Sequence, residues 1–275
     1  MEDFLFSNND EIVSPLKRAL IGLVEKASGQ AELKRIYADN LRFARAGESV
    51  WQAAVCGLAL DVRYDAAALA RLPATGPLVV VANHPFGAVD GIVAAWLTEK
   101  ARQDFRVLAN NVLTRAPELR AFVLPIDFSP TGQARRGNVA SRAALRAHLE
   151  GGGAVVTFPA GIVSTSPDCL GRETAVDGRW GSFVGQLVHR ARATVAPFWF
   201  GGQNSRLFQM VSHVSETLRL ALFFHEVRAR IGATVPVVIG EPILYEAVAA
   251  IKDRQALADE LRARVYALAA NAPAA

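Results

Sequence analysis

The chain has 275 residues, 51% hydrophobic and 20% charged, with a formal net charge of +4. That balance supports a packed core and excludes a disordered or collagen-like chain. No apolar run approaches the roughly 20 residues of a membrane-spanning helix. The two cysteines, Cys56 and Cys169, sit in no Cys-x-x-Cys pair, which excludes a disulfide framework and argues against a structural zinc site.

The length fits one large α/β domain or two small ones. The N-terminus, Met1-Glu2-Asp3-Phe4, has no basic stretch leading into an apolar one, so a cytoplasmic protein is expected. The positive charge is mostly arginine and suits an anionic partner: a phospholipid surface, a phosphopantetheine carrier or a nucleotide.

Residues 10 to 46 read as helical, with Ile12, Leu16, Leu20, Leu23 and Val24 at helical spacing. They form an N-terminal helical segment, residues 1–50, ahead of a domain spanning residues 51–275. From Gly76 the pattern alternates. Strands are expected at Leu78–Ala82, Phe105–Ala109, Val123–Phe128, Ala154–Phe158, Thr194–Phe200 and Val235–Ile239. Helices are expected at Gly91–Gln103, Val112–Arg120, Gly137–Leu149, Ser182–Arg192, Ser205–Arg230 and Tyr245–Ala269. Alternation of this kind predicts a single α/β domain with a largely parallel central sheet flanked by helices.

The first strand ends in Asn83-His84-Pro85-Phe86-Gly87-Ala88-Val89-Asp90. A strand that delivers a His and an Asp to its C-terminal end delivers them to where open α/β sheets bind ligands. A carboxylate six residues on can fix the tautomer of the imidazole. Asp90 also reads as the N-cap of the next helix, ahead of Ile92, Val93, Trp96 and Leu97. The bland alternative is a surface histidine and a plain cap.

Asn83-His84-Pro85 followed by Asp90 resembles the first signature block of the glycerolipid (lysophosphatidic acid) acyltransferase superfamily. The Phe86-Gly87 variant is similar to a bacterial branch that includes hemolysin-like proteins and ornithine-lipid acyltransferases. The family's usual spacing is four residues between His and Asp; here it is five, and Gly87 is the residue able to absorb the extra one. The second block matches Phe158-Pro159-Ala160-Gly161, with Ala160 where the family carries Glu. Val123-Leu124-Pro125-Ile126-Asp127 resembles the acceptor-binding strand but lacks the Arg that follows the Asp.

The resemblance implies acyl transfer from an acyl-carrier-protein or acyl-CoA thioester to a lysolipid hydroxyl, with no other cofactor and no metal. It makes His84 the general base and Asp90 its orienting carboxylate. The Ala160 and Gly161 N–H groups become the oxyanion donors. Asn83, Pro85, Phe86, Gly87, Phe158, Pro159 and Asn204 would line the substrate. Arg135 and Arg136 read either as substitutes for the missing phosphate ligands or as a solvated loop. The weakened phosphate signature points away from a plain lysophosphatidate acceptor, with a lyso-ornithine lipid as one candidate.

Trp180, Phe183 and Leu187 read as an acyl groove or as core, core being favoured. Leu207–Arg230 reads as a helix at an anionic bilayer surface or as a buried helix with snorkelling arginines. His148, His189, His213 and His225 read as structural. A catalytically silent lipid-binding scaffold on the same fold is the competing expectation. A hydrolase lacks its Gly-x-Ser-x-Gly elbow, and nucleic-acid binding lacks a basic stripe with interleaved aromatics.

Overall fold

The computed structural model describes residues 30–45, 48–126 and 132–272. Helix α1 (Gln30–Arg45) and α2 (Val50–Gly57) lead into strand β1 (Asp61–Arg63) and the short α3 (Ala66–Ala70). Then come β2 (Leu78–Ala82), α4 (Ala88–Ala101), β3 (Phe105–Asn110) and β4 (Val123–Ile126). They are followed by α5 (Gly132–Glu150), β5 (Ala154–Thr157), α6 (Phe183–Ala191) and β6 (Thr194–Phe200). The chain closes with α7 (Arg206–Ser212), α8 (Glu216–Ala229), β7 (Thr234–Ile239) and α9 (Arg254–Ala267).

The strands form one seven-stranded sheet in the order β1-β7-β6-β2-β5-β3-β4. The five from β6 to β4 run parallel; β7 pairs antiparallel with β6, and β1 runs parallel to β7. The apolar run of β2 follows from its central place, because a strand covered on both faces has no polar side. Leu78, Val80 and Ala82 face a core shared with Trp51 of α2 and with Val93 and Leu97 of α4. Val79 and Val81 face the other core, with Leu145 and Leu149 of α5, Leu187 of α6 and Leu257 and Leu261 of α9. Trp180 is fully buried in that second core and Leu187 joins it, which decides for the core reading of both.

Several boundaries differ from expectation. Strand β1 is three residues at the sheet edge, too short for alternation to register. The expected helix over 112–120 is two 3₁₀ turns, Asn111–Arg115 and Pro117–Leu119. The expected helix over 205–230 is two helices, because the Ser215 hydroxyl accepts the Leu218 N–H and starts α8 afresh. The expected closing helix begins only at Arg254, where Asp253 caps it through the Ala256 N–H at 2.7 Å. Residues 10–29 of the expected N-terminal helix, and Asp127, lie outside the described residues. Leu33 of α1 is buried in the first core, and Arg228 of α8 reaches Glu32 of α1 at 2.8 Å. Among the described residues no helix is long and apolar enough to cross a membrane.

Candidate active site

The sheet stops at Ala82, and the next two residues leave it under separate restraint. The Asn83 amide bridges β2 to β6: its nitrogen donates to the Phe200 carbonyl at 2.9 Å, and its oxygen accepts the Phe200 N–H at 2.7 Å. Asn83 is therefore a buried clasp between the two strands. His84 follows, with its Nδ1 3.1 Å from Asp90 Oδ2. Asp90 is fully buried; the same oxygen accepts the Phe86 N–H at 2.8 Å and the Gly87 N–H at 2.9 Å.

Asp90 is the third residue of α4 and not its N-cap. Gly87 holds the cap position at φ +79°, and the carboxylate reaches back over it. A β-carbon on Gly87 would lie 2.4 Å from the Phe223 ring of α8, so neither the dihedral nor the space admits another residue. Phe86 turns inward, almost fully buried, beneath the Arg230 guanidinium at 4.0 Å and against Gly202. Pro85 is buried beside it.

Burial pushes the Asp90 carboxyl above the ordinary carboxylate range; the bonds from His84, Phe86 and Gly87 oppose that shift without cancelling it. Burial also lowers the Arg230 guanidinium, against the pull of Glu226 and Asp90.

The His84 ring stacks on Phe158, with centroids 4.2 Å apart at 29°. Its Nε2 makes no hydrogen bond among the described residues, and its side chain is 18% exposed. Phe158, Pro159, Ala160 and Gly161 form a turn at the end of β5. The Gly161 N–H closes that turn on the Phe158 carbonyl at 2.9 Å, so it is not available as an oxyanion donor. The Ala160 N–H donates to nothing among the described residues and is the donor that remains there.

A single family model covers residues 49–272 of this chain, and its description is acyltransferase. The chain belongs to the acyltransferase family. A lyso-glycine lipid O-acyltransferase of Bacteroides thetaiotaomicron is 26% identical over 220 residues, 76% of each chain. One of the same name from Phocaeicola vulgatus is 27% identical over 195 residues, covering 68% of this chain and 66% of its own. In fold, the chain resembles the crystal structure of the 1-acyl-sn-glycerophosphate acyltransferase PlsC from Thermotoga maritima. The TM-score is 0.50 at 15% identity, over 93% of this chain and 97% of that one. Family and relatives make this acyltransferase an enzyme of the O-acyltransferase class.

Other residues expected at the site of this acyltransferase are spread more widely. Arg136 is exposed on α5, and the Arg135 side chain lies outside the described residues. Both follow β4, three strands from β2, or about 14 Å at the usual strand spacing. Asn204 is buried, and neither end of its amide has a partner among the described residues. His148 and His213 bond main-chain carbonyls of Asp104, Ala154 and Ser166.

Two hollows, of about 560 Å³ beside Pro197, Pro242 and Leu268 and of about 350 Å³ beside Phe200, Gly202 and Tyr266, do not include His84 or Asp90 in their walls. The second does include Asn83.

Sequence reasoning missed Arg230, Ser164 and Asp177. The Ser164 N–H donates to the His84 carbonyl at 2.8 Å, and Asp177 accepts the His84 N–H at 3.1 Å. The one local signal for them is Asp177 three residues before Trp180, a carboxylate within reach of a buried indole N–H.

Proposed function

We propose that this acyltransferase moves a fatty acyl group from an acyl-carrier-protein or CoA thioester to the hydroxyl of a lysolipid with an amino-acid headgroup. The observation that carries this reading is the His84 ring, tied through Nδ1 to the buried Asp90 carboxylate and open at Nε2. As the acceptor hydroxyl attacks the thioester carbonyl, its proton passes to Nε2. The C–S bond then breaks, and the thiolate takes that proton from the imidazolium. Asp90 keeps Nδ1 protonated and stabilises the imidazolium. The Ala160 N–H supports the oxyanion. No acyl-enzyme is required.

Two features support the acceptor class. The residues that resemble the family's phosphate ligands are altered at Ala160 and absent after Asp127. The curated relatives are named for lyso-glycine lipid. An amino acid acylated on its amine keeps a carboxylate, which glycine and ornithine headgroups share.

The test is mass analysis of lipids after incubation with labelled acyl carrier protein or acyl-CoA and one of three acceptors: lyso-glycine lipid, lyso-ornithine lipid or lysophosphatidate. Amino-acid lysolipids are expected to be favoured about tenfold or more in kcat/KM, the scale on which a site rejects a mismatched polar group. A preference for lysophosphatidate, or release of free fatty acid alone, contradicts the reading.

The same reading needs access to lipid. Ile162, Leu170, Leu207, Met210, Val214 and Leu220 are exposed, and all lie on α7, α8, the turn between them or the loop after the Phe158–Gly161 turn. Arg206 joins α7 to that loop through the Leu170 carbonyl, and Arg219 joins α8 to it through the Val163 carbonyl. This face adjoins the site and is the one proposed to rest on the bilayer. A Leu207→Glu/Val214→Glu variant is expected to bind phospholipid vesicles at least about 10²-fold more weakly, each apolar side chain buried in lipid being worth roughly 1.5–3 kcal/mol. Unchanged co-sedimentation rules this face out.

A further inference from the structure

We propose that Asp177 is a positioning residue for His84: a second buried carboxylate that fixes the histidine's main chain as Asp90 fixes its ring. This rests on the reading of His84 as the base.

Beyond Ala82 no strand ladder restrains the backbone, so His84 depends on other partners. Asp177 and Ser164 take both of its peptide groups. The His84 N–H donates to Asp177 Oδ1 at 3.1 Å, and the His84 carbonyl accepts the Ser164 N–H at 2.8 Å. These two partners are themselves joined, Ser164 Oγ donating to Asp177 Oδ1 at 2.5 Å. Thr165 and Val176 pair next to them through reciprocal main-chain bonds of 3.1 and 3.2 Å. The excursion between β5 and α6 therefore leaves from His84 and returns to it.

Asp177 is 2% exposed, and a carboxylate is rarely buried without donors at both oxygens. Oδ2 takes the Trp180 indole N–H at 2.8 Å. The main chain of Asp177 is held from α9. Its N–H donates to the Tyr266 hydroxyl at 2.6 Å, and its carbonyl accepts from Arg262 at 2.7 Å. Burial, reinforced by the Asp177 charge, pushes the Tyr266 phenol up to about 12. A fully buried Trp and a helix thus fix the carboxylate, and the carboxylate fixes the backbone that carries the base.

The geometry makes Asp177→Asn informative. An amide has one acceptor oxygen where the carboxylate has two. With the oxygen toward His84, the new NH₂ opposes the Trp180 N–H; turned over, it opposes the His84 N–H. The indole is immobile in the core, so the conflict is expected to displace His84. Displacing a reacting group by about 1 Å costs on the order of 10²-fold in rate. A Trp180→Phe change removes the indole donor and the conflict, and leaves a void that lowers the melting temperature.

Asp177→Asn is expected to lower kcat about 10²-fold with little change in acceptor KM, the pattern of an interaction that matters only in the transition state. Adding Trp180→Phe is expected to recover kcat about tenfold while the double variant melts lower than the single one. A role limited to stability predicts the reverse, activity falling with melting temperature. In the Trp180→Phe background, Asp177→Ala is expected to turn over about tenfold slower than Asp177→Asn, a comparison that holds whether or not Asp177→Asn folds alone.

Near-normal kcat in Asp177→Asn, loss of kcat in the double variant, or equal rates for Asn and Ala in that background would each overturn the assignment. A His84→Ala variant run in parallel separates the two readings. If it keeps activity, the histidine is not the base; if it is dead while Asp177→Asn is normal, only the Asp177 assignment fails.

Discussion

Replacing His84 with alanine is expected to lower kcat by about 10³–10⁴, the upper range for removing a positioned general base. The acceptor KM is expected to change far less, since the proton transfer belongs to the transition state. The fold is expected to survive. The ring contributes a stack on Phe158 and one bond to Asp90, but the Asp90 oxygen that holds the loop keeps the Phe86 and Gly87 N–H groups. Steady-state acyl transfer with a melting curve on the same sample checks both halves. A loss below tenfold in a folded variant removes His84 from the chemistry.

Asp90→Asn is the second large effect, and its direction differs between activity and stability. The amide oxygen is expected to occupy the Oδ2 position, because two backbone N–H groups demand an acceptor there. That oxygen still accepts from His84 Nδ1, so the productive tautomer is retained and only the charge that steadies the imidazolium is lost. The expected fall in kcat is about 10²-fold, milder than the ~10⁴-fold known where the tautomer is also lost. Asp90→Ala removes the acceptor as well and is expected to fall further in kcat and to melt lower.

Stability follows the raised Asp90 carboxyl. A carboxyl whose folded-state pKa lies above its unfolded value favours the fold fully below the unfolded value. That contribution is lost as pH rises through the folded value. Above the folded value the wild type therefore carries a buried charge that the Asn variant lacks. The melting temperature of Asp90→Asn is expected to rise relative to wild type as pH increases, with the gap closing toward about pH 4, the unfolded carboxyl range. A gap that shrinks as pH rises contradicts this.

How much of this was legible in the chain depended on sequence distance. The apolar run 78–82 announced a strand buried on both faces, and the His84–Asp90 contact spans six residues across one loop, so local pattern and loop chemistry were enough to bring them together. Asp90 as N-cap was a misreading of the same locality. A carboxylate near a helix start bonds whichever N–H groups the preceding turn presents, and here the turn ending in the positive-φ Gly87 presents two, those of Phe86 and Gly87.

Gly161 failed as a donor because a Phe-Pro-Ala-Gly turn consumes its own fourth N–H. Arg135 and Arg136 follow the strand that resembles the acceptor-binding block, but that strand, β4, lies three strands from β2. Asp177 meets His84 across 93 residues, and Arg230 covers Phe86 from the end of α8. No periodicity encodes such returns; they are set by where the sheet places its C-terminal loops.

The most direct measurement is the ring ¹⁵N spectrum of His84 at neutral pH, assigned by its absence in His84→Ala. The account predicts a proton on Nδ1, held by Asp90, and an unprotonated Nε2 ready to take the acceptor's proton. A proton on Nε2, with Nδ1 bare, contradicts it.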